Sequence, residues 1–252
     1  MPWDVIKLND GTSIPSIAFG TWTLGGGAQA TDYVEQAISV GFSHVDTAQA
    51  YQNEEEAGKA IRESGLARED IYITTKFSGR DGLDIETSIR NSLKFLGVDY
   101  VDLYLIHHPR LAQPDIPTAW AQMEKLKKEG LVKSIGVSNF GVSELQTLLA
   151  SANIKPAANQ ILFHPYVHAR QLPITLMPSS FCSSSTKKER LEGYLAAGDL
   201  DLTTADVAAI DAAGALGSRR QKVRDFVNGV ATGALLCAAV FGVCSYFGID
   251  LF

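Results

Sequence analysis

Four different titratable side chains stand at or just after the ends of apolar runs that have the pattern of β-strands. They are Asp46 and Tyr51 after one run, Lys76 near the end of the next, and His107 at the end of a third. Such groups converge only if the strands run parallel and their carboxyl ends open onto one site. The sequence therefore predicts a parallel sheet with a site for proton transfer at one edge.

Strand-like and helix-like segments alternate along most of the chain. Apolar stretches on both sides of Asn9-Asp10-Gly11 predict a β-hairpin. Strands are predicted after it at Ser16–Trp22, Ser43–Asp46, Ile71–Phe77, Val101–His107, Val132–Ser138 and Ala157–Phe163. Amphipathic helices are predicted between them at Thr31–Val40, Asn53–Ser64, Leu83–Leu96, Ile116–Lys128 and Val142–Ala150. Both a (β/α)8 barrel and an open doubly wound sheet have this pattern of parallel βα units.

Three consecutive glycines favour the open sheet. Gly25, Gly27 and Ala30 fit the dinucleotide-binding pattern Gly-x-Gly-x-x-Ala between a strand and a helix, and Asp46 stands where a ribose-binding acid would lie. A run of glycines matches such a pattern easily, however. A dehydrogenase with an open sheet, using Gly25 and Gly27, is therefore an alternative interpretation.

Composition indicates a soluble, acidic enzyme domain. The chain has 252 residues, is 46% hydrophobic and carries a net charge of -6, so that nothing favours binding to nucleic acid. Its cysteines, Cys182, Cys237 and Cys244, are too few for a disulfide framework, which favours a reducing compartment. No secretory signal is visible at the N-terminus.

The last part of the chain predicts a membrane anchor. Residues 226–249 carry no charge and as a helix are long enough to cross a bilayer core. Basic residues precede this segment, as on the cytoplasmic side of membrane helices: Arg219, Arg220, Lys222 and Arg224. We expect a tail anchor that holds a cytoplasmic domain, residues 1–225, at a membrane. Gly229 and Gly233 are spaced to support a weak homodimer between two such helices, and a buried core helix is the alternative.

Motifs in a fixed order cover the chain from the hairpin to about residue 168. They are Gly20-Thr21-Trp22, Asp46-Thr47-Ala48 with Tyr51, Thr75-Lys76, Asp102 to His107, Gly136 to Phe140, Asn159-Gln160 and His164-Pro165-Tyr166. In this order they resemble the aldo-keto reductase family. The resemblance implies a TIM-type (β/α)8 barrel whose bottom is closed by the hairpin, with NADPH bound across its top.

The resemblance also implies a catalytic tetrad of Asp46, Tyr51, Lys76 and His107. Tyr51 would give a proton to the carbonyl oxygen, which gains negative charge when hydride reaches the carbon. The ammonium of Lys76 would lower the pKa of the phenol. Asp46 would keep Lys76 charged, and His107 would orient the carbonyl through a ring nitrogen whose tautomer the sequence does not give.

The same resemblance assigns cofactor and substrate contacts. Six polar residues would bind NADP(H), at its nicotinamide and its 2'-phosphate: Ser138, Asn139, Gln160, Ser185, Lys187 and Arg190. Trp22 and His108 would line the substrate pocket. No metal site is expected, because no carboxylate ligand accompanies the nearby pair His164 and His168.

The resemblance breaks after His168. Residues 169–184 stand where family members have about two βα units, so that the barrel is expected to be incomplete, with Pro173–Phe181 at best a seventh strand. Asp199–Ala213 is predicted to be the last family helix, capped near Thr203. The expected reaction is NADPH-dependent reduction of an aldehyde or ketone to an alcohol. The alternative is a catalytically impaired, membrane-tethered remnant or an interaction protein.

Overall fold

The computed structural model describes residues 4–162 and 181–215. These residues belong to two compact units, one of residues 4–162 with 181–200 and one of residues 201–215. The first unit contains a hairpin, a seven-stranded parallel sheet and six α-helices.

The hairpin is formed by β1 (Val5–Lys7) and β2 (Ser13–Pro15), as predicted. Its turn is held by Asp10, which accepts hydrogen bonds from Lys127 at 2.6 Å and from Ser134 at 2.8 Å. Burial would raise the pKa of Asp10, but the hydrogen bonds from Lys127, Thr12 and Ser134 outweigh it and lower the pKa to about 2. Asp10 therefore ties the hairpin to the body of the barrel.

The sheet contains seven parallel strands in one continuous order. The strands are β3 (Ile17–Gly20), β4 (His44–Asp46), β5 (Tyr72–Phe77), β6 (Val101–Ile106), β7 (Val132–Ser138), β8 (Asn159–Gln160) and β9 (Phe181–Ser183). Their order in the sheet is β8, β7, β6, β5, β4, β3, β9. In a doubly wound sheet the order would reverse beside the first strand. Here the last strand pairs with β3, as in a closing barrel, so the open-sheet alternative is wrong.

The sheet curls so that distant strands face each other. The β4 and β8 strands are separated by three others, and in a flat sheet about 19 Å would lie between them. Nevertheless, Gln160 Nε2 on β8 donates to Asp46 Oδ2 on β4 at 2.8 Å. At the bottom, Ile14 of the hairpin packs against Leu103 and Leu105 from β6. The fold is therefore an incomplete TIM-type barrel closed below by the hairpin.

Six helices follow the strands in sequence. They are α1 (Ala28–Val40), α2 (Glu54–Glu63), α3 (Ile85–Leu96), α4 (Ile116–Lys128), α5 (Val142–Ser151) and α6 (Lys188–Ala196). The start of α3 is fixed by Asp84, whose carboxylate accepts from Thr87 N, and its end by Gly97 in the left-handed conformation. The five predicted helices are confirmed, and their ends differ by three residues or fewer.

The prediction of missing barrel strands is confirmed in part. Among the described residues, β8 and β9 form the two edges of the sheet. The predicted seventh strand, Pro173–Phe181, lies almost wholly outside the described residues, within which the strand covers Phe181–Ser183. This seventh strand of the sheet pairs with β3 in the register Ala18 to Cys182, where the last strand of a complete barrel would lie.

The second unit is described only for residues 201–215. Its helix covers residues 204–215 and therefore begins later than the predicted Asp199–Ala213. Thr203 caps it as predicted: its hydroxyl accepts from Asp206 N at 3.2 Å, and the carboxylate of Asp206 accepts from Thr203 N at 2.9 Å. Within the described residues, no helix combines the length and apolar character that a membrane span requires. The predicted anchor, residues 226–249 with Gly229 and Gly233, lies outside them.

Candidate active site

The four titratable residues come together at the carboxyl ends of three neighbouring strands. Asp46 ends β4, Lys76 is the second-last residue of β5, and His107 follows β6 directly. Tyr51 is the last residue of a short 3-10 turn, Gln49–Tyr51, after β4. Asp46 pairs with Thr74 on β5, and Lys76 lies two residues after Thr74, so both side chains are on the same face, which is the inner one that Gln160 reaches from β8.

Lys76 is the centre of this cluster. Its side chain is completely buried, and its Nζ donates to Asp46 Oδ1 at 2.6 Å, to the carbonyl oxygen of Thr47 at 2.9 Å and to Tyr51 Oη at 3.3 Å. All three protons of the ammonium therefore have an acceptor. The predicted proximity of Tyr51 and Lys76 is present in the structure.

Burial and charge act against each other in this cluster. Burial would lower the pKa of Lys76, but Asp46 and Tyr51 outweigh it and raise that pKa, so the amine is charged. For Tyr51, burial is the largest cause and raises the pKa, although Lys76 lowers it in part. The expected net lowering of the Tyr51 pKa is therefore wrong, and the phenol keeps its proton at neutral pH.

The imidazole of His107 stands edge-on to the ring of Tyr51, with the ring centroids 5.6 Å apart. Its Nδ1 lies 3.0 Å from Ser78 Oγ. Burial and the nearby positive charge of Lys76 lower the pKa of His107 to about 4. The ring is therefore neutral at physiological pH and carries one proton on one of its two nitrogens.

Three predicted cofactor residues lie at the carboxyl ends of β7 and β8 and are linked by hydrogen bonds. Ser138 Oγ donates to the carbonyl oxygen of Gln160 at 2.8 Å, and Asn139 Nδ2 donates to the carbonyl oxygen of His107 at 3.0 Å. Asn139 holds a left-handed conformation, with φ of 60°, which fixes the chain as it turns away from the barrel mouth. Gln160 Nε2 reaches Asp46, so that it is also part of the charged cluster.

The other predicted residues follow strands at the same end of the sheet and differ in exposure. Ser185 follows β9 and is buried, with its Oγ accepting from Lys187 N at 3.1 Å, while Lys187 and Arg190 are exposed at the start of α6. Trp22 follows β3 and is 64% exposed. His108 is half-buried beside His107. The parallel strands thus bring these residues to the edge of the sheet where the tetrad lies.

The glycine-rich segment does not form a phosphate site. Gly27 is the N-cap of α1, and its backbone N–H donates to Glu56 Oε1 at 2.6 Å. A carboxylate of the chain itself therefore occupies the helix terminus that a dinucleotide phosphate would need. Asp46, the expected ribose-binding acid, is paired with Lys76. Both findings contradict the interpretation based on Gly25 and Gly27.

Two residues near the cluster were missed by the sequence analysis. Ser78 stands two residues after Lys76, and its position at a strand end was the available signal. Cys182 lies on the edge strand, and the residue as a whole is exposed. Its thiol, however, faces inward against Gly20: a Cβ atom added to Gly20 would lie 2.8 Å from Cys182 Sγ. Burial and then Asp46 raise the pKa of this thiol well above its usual value. It is therefore a neutral group next to the charged pair.

The fold and the cluster define a class of protein: a TIM-type barrel with a Lys-Asp-Tyr-His cluster at the carboxyl ends of its strands. The model of the Aldo/keto reductase family matches residues 16–180. The chain belongs to the aldo/keto reductase family.

Curated relatives share this part of the chain. Methylglyoxal reductase DkgA of Escherichia coli (strain K12) is 42% identical over 168 residues, which are 67% of this chain and 61% of that protein. Glyoxal reductase of Bacillus subtilis (strain 168) is 42% identical over 172 residues, with the same shares of 67% and 61%. The chain thus spans about three fifths of the length of these relatives.

Solved structures have the same fold. An aldo/keto reductase from Brucella melitensis has a TM-score of 0.72 and 32% identity, covering 82% of this chain and 97% of that one. The Bombyx mori aldo-keto reductase in complex with NADP has a TM-score of 0.72 and 28% identity, covering 82% of this chain and 92% of that one. The similarity therefore extends over most of the barrel.

Proposed function

We propose that the chain catalyses the NADPH-dependent reduction of an aldehyde to an alcohol. The observation that carries this proposal is the position of Lys76 Nζ, which is within hydrogen-bonding distance of both Asp46 and Tyr51. A buried cation beside a phenol, with an acid that keeps the cation charged, is the arrangement that a proton-donating tyrosine needs.

Tyr51 is the proposed proton donor. Because burial raises its pKa, the phenol is protonated at neutral pH, before any reaction. As the proton leaves for the carbonyl oxygen, negative charge develops on Oη, 3.3 Å from the ammonium of Lys76. That ammonium stabilises the phenolate as it forms, and this selective stabilisation of the transition state lowers the barrier. Asp46 holds Lys76 in place and charged.

His107 is the proposed orienting group for the carbonyl oxygen. Its ring is half-buried and adjacent to Tyr51, so that both side chains reach the same small volume at the barrel mouth. A neutral imidazole donates one hydrogen bond without adding a second positive charge beside Lys76. Trp22 and His108, at the ends of β3 and β6, are the proposed walls of the substrate pocket.

The residues at the barrel mouth fit a nicotinamide cofactor. Ser138, Asn139 and Gln160 offer hydroxyl and amide groups of the kind that bind a carboxamide. The hydrogen bonds that Asn139 and Gln160 make through their side-chain nitrogens leave an amide oxygen on each as an acceptor. Ser185, Lys187 and Arg190 would hold the 2'-phosphate, since basic side chains favour NADPH over NADH. Bound NADPH would supply the hydride.

Relatives suggest a small aldehyde as the substrate. The curated proteins that this chain resembles include a methylglyoxal reductase, a glyoxal reductase and an aldehyde reductase of Saccharomyces cerevisiae. Methylglyoxal and glyoxal are therefore the first substrates to test.

An impaired, non-catalytic remnant is the second candidate. It is favoured by the edges of the sheet, because β8 and β9 have no further strand beside them among the described residues. The cofactor residues Gln160 and Ser185 lie on or next to these edge strands. Loss of cofactor binding is therefore the expected defect of a remnant.

One experiment separates the two candidates. NADPH is titrated into the purified full-length chain while fluorescence is followed, and turnover of methylglyoxal is then measured. Saturable binding, and activity that falls about 10²- to 10⁴-fold in Tyr51→Phe, supports the enzyme, because that is the usual contribution of a general acid. Tyr33→Phe on α1 is the matched control and keeps full activity. A folded chain that does not bind NADPH supports the remnant.

We also propose that residues 226–249 anchor the chain in a membrane, with the barrel in the cytoplasm. The uncharged segment and the basic residues before it support this proposal. Extraction of cell membranes with alkaline carbonate tests it, since an anchored chain stays in the pellet. A Gly229→Leu variant would lower any dimer formation that depends on close helix approach.

A further inference from the structure

Ser78 connects three parts of the candidate active site. It follows Lys76 by two residues at the end of β5 and is half-buried. Its backbone N–H donates to Gln49 Oε1 at 3.2 Å, and its Oγ accepts from Ala50 N at 3.2 Å. Both partners belong to the 3-10 turn that ends at Tyr51. These two hydrogen bonds fix Ser78 relative to Tyr51, the proposed proton donor, independently of its contact with His107.

The hydroxyl of Ser78 has only one proton to donate. Its two possible acceptors are His107 Nδ1 at 3.0 Å and the carbonyl oxygen of Lys76 at 3.4 Å. The longer distance is near the limit for a hydrogen bond between oxygens, whereas the shorter one is ordinary. Ala50 N–H already occupies one lone pair of Ser78 Oγ, and donation from Ser78 to Nδ1 uses the shorter of its two acceptor contacts, so the geometry favours that direction.

We propose that Ser78 is a positioning residue that holds His107 in the tautomer with its proton on Nε2. An imidazole that accepts at Nδ1 and is neutral must carry its proton on Nε2. The two nitrogens lie on different sides of the ring, so that Nε2–H is left for another acceptor. The consequence for catalysis rests on the proposed function: Nε2–H donates to the substrate carbonyl oxygen.

The tautomer with its proton on Nδ1 would remove the hydrogen bond from His107 to the substrate carbonyl oxygen. If Nδ1–H donated to Ser78 Oγ, then Nε2 would present a lone pair to the carbonyl oxygen, and two acceptors would face each other. Tyr51 would then have to bind the oxygen alone. A single hydroxyl thus determines whether His107 attracts or repels the substrate.

Nitrogen-15 NMR of the full-length chain with labelled histidine tests this directly, because protonated and unprotonated ring nitrogens have well separated shifts. A His107→Gln variant identifies the signal among the five histidines. We expect Nε2 protonated and Nδ1 unprotonated in the parent chain. We expect a mixture of tautomers in Ser78→Ala and recovery in Ser78→Thr, which keeps the hydroxyl. Ser39→Ala, an exposed serine on α1, should change nothing.

Kinetics add a second readout. Ser78→Ala should lower kcat/KM for methylglyoxal about tenfold, the usual effect of one lost hydrogen bond. It should leave NADPH affinity unchanged, and Ser78→Thr should restore activity. A parent chain with its proton on Nδ1, or an unchanged tautomer in Ser78→Ala, overturns the proposal. If the parent chain has no reductase activity, the proposed function fails, while the NMR measurement still decides the role of Ser78.

Discussion

The buried pair of Lys76 and Asp46 gives the sharpest energetic prediction. Their charged atoms are 2.6 Å apart, and their side chains are 0% and 4% exposed. At an effective dielectric constant of about 20, Coulomb's law gives about 6 kcal/mol of attraction at this distance, most of which offsets the loss of hydration. Removing one partner leaves the other charge buried, which typically costs about 3–5 kcal/mol.

We therefore expect Asp46→Asn to lower the free energy of unfolding by about 3 kcal/mol at pH 7, because Lys76 keeps its burial and loses its counter-charge. Lys76→Met should also destabilise the chain, since Asp46 would then be buried without a cation. The double variant contains neither charge, so it should be at least about 2 kcal/mol more stable than the sum of the two single effects predicts.

Urea unfolding followed by tryptophan fluorescence, to which the buried Trp120 contributes, measures the stability of all four chains of this cycle. The control is Lys59 and Glu63, a pair 3.9 Å apart whose side chains are 54% and 53% exposed. Replacing either residue should cost less than about 0.5 kcal/mol. Additive effects of Asp46→Asn and Lys76→Met would show that the two side chains do not interact, and would contradict a role for Asp46 in keeping Lys76 charged.

Three further predictions concern the fold and the cofactor. Asp10 has a pKa of about 2 in the folded chain and 3.8 as a free group. Its ionised form therefore contributes about 2 kcal/mol to the free energy of unfolding above pH 4, and this contribution is lost as the pH falls towards 2. The difference in stability between the parent chain and Asp10→Asn, measured by urea unfolding, should vanish over that range. Gly58→Ala should lower the melting temperature, because the new Cβ would collide with the backbone of Leu96, and an unchanged melting temperature would refute this close approach of α2 and α3. Arg190→Ala should weaken NADPH about tenfold more than NADH in fluorescence titrations, and equal effects would contradict its assignment to the 2'-phosphate.

The clustering of Asp46, Tyr51, Lys76 and His107 was predictable, because each stands at or shortly after the end of a strand whose apolar pattern is clear. The order of the family motifs favoured a barrel, but periodicity alone did not decide the choice between a barrel and an open sheet, since both folds have the same local pattern of βα units. It depends on one long-range pairing, of β9 with β3, to which periodicity gives no clue. The direction of the pKa shift of Tyr51 could not be predicted from the sequence either, because it depends on the balance between burial, which raises the pKa, and the charge of Lys76, which lowers it.

In the incomplete barrel, the residues proposed for proton transfer and some of those proposed for cofactor binding lie on different strands. Asp46, Lys76 and His107 lie on or next to β4, β5 and β6, and each of these strands is paired on both sides. Of the proposed cofactor residues, Gln160 and Ser185 lie on or beside the edge strands β8 and β9, whereas Ser138 ends β7, which is paired on both sides. Missing barrel units should therefore weaken NADPH binding before they disturb the distance between Lys76 and Tyr51. A variant chain that binds NADPH normally but has lost the Lys76 to Tyr51 contact would contradict this order.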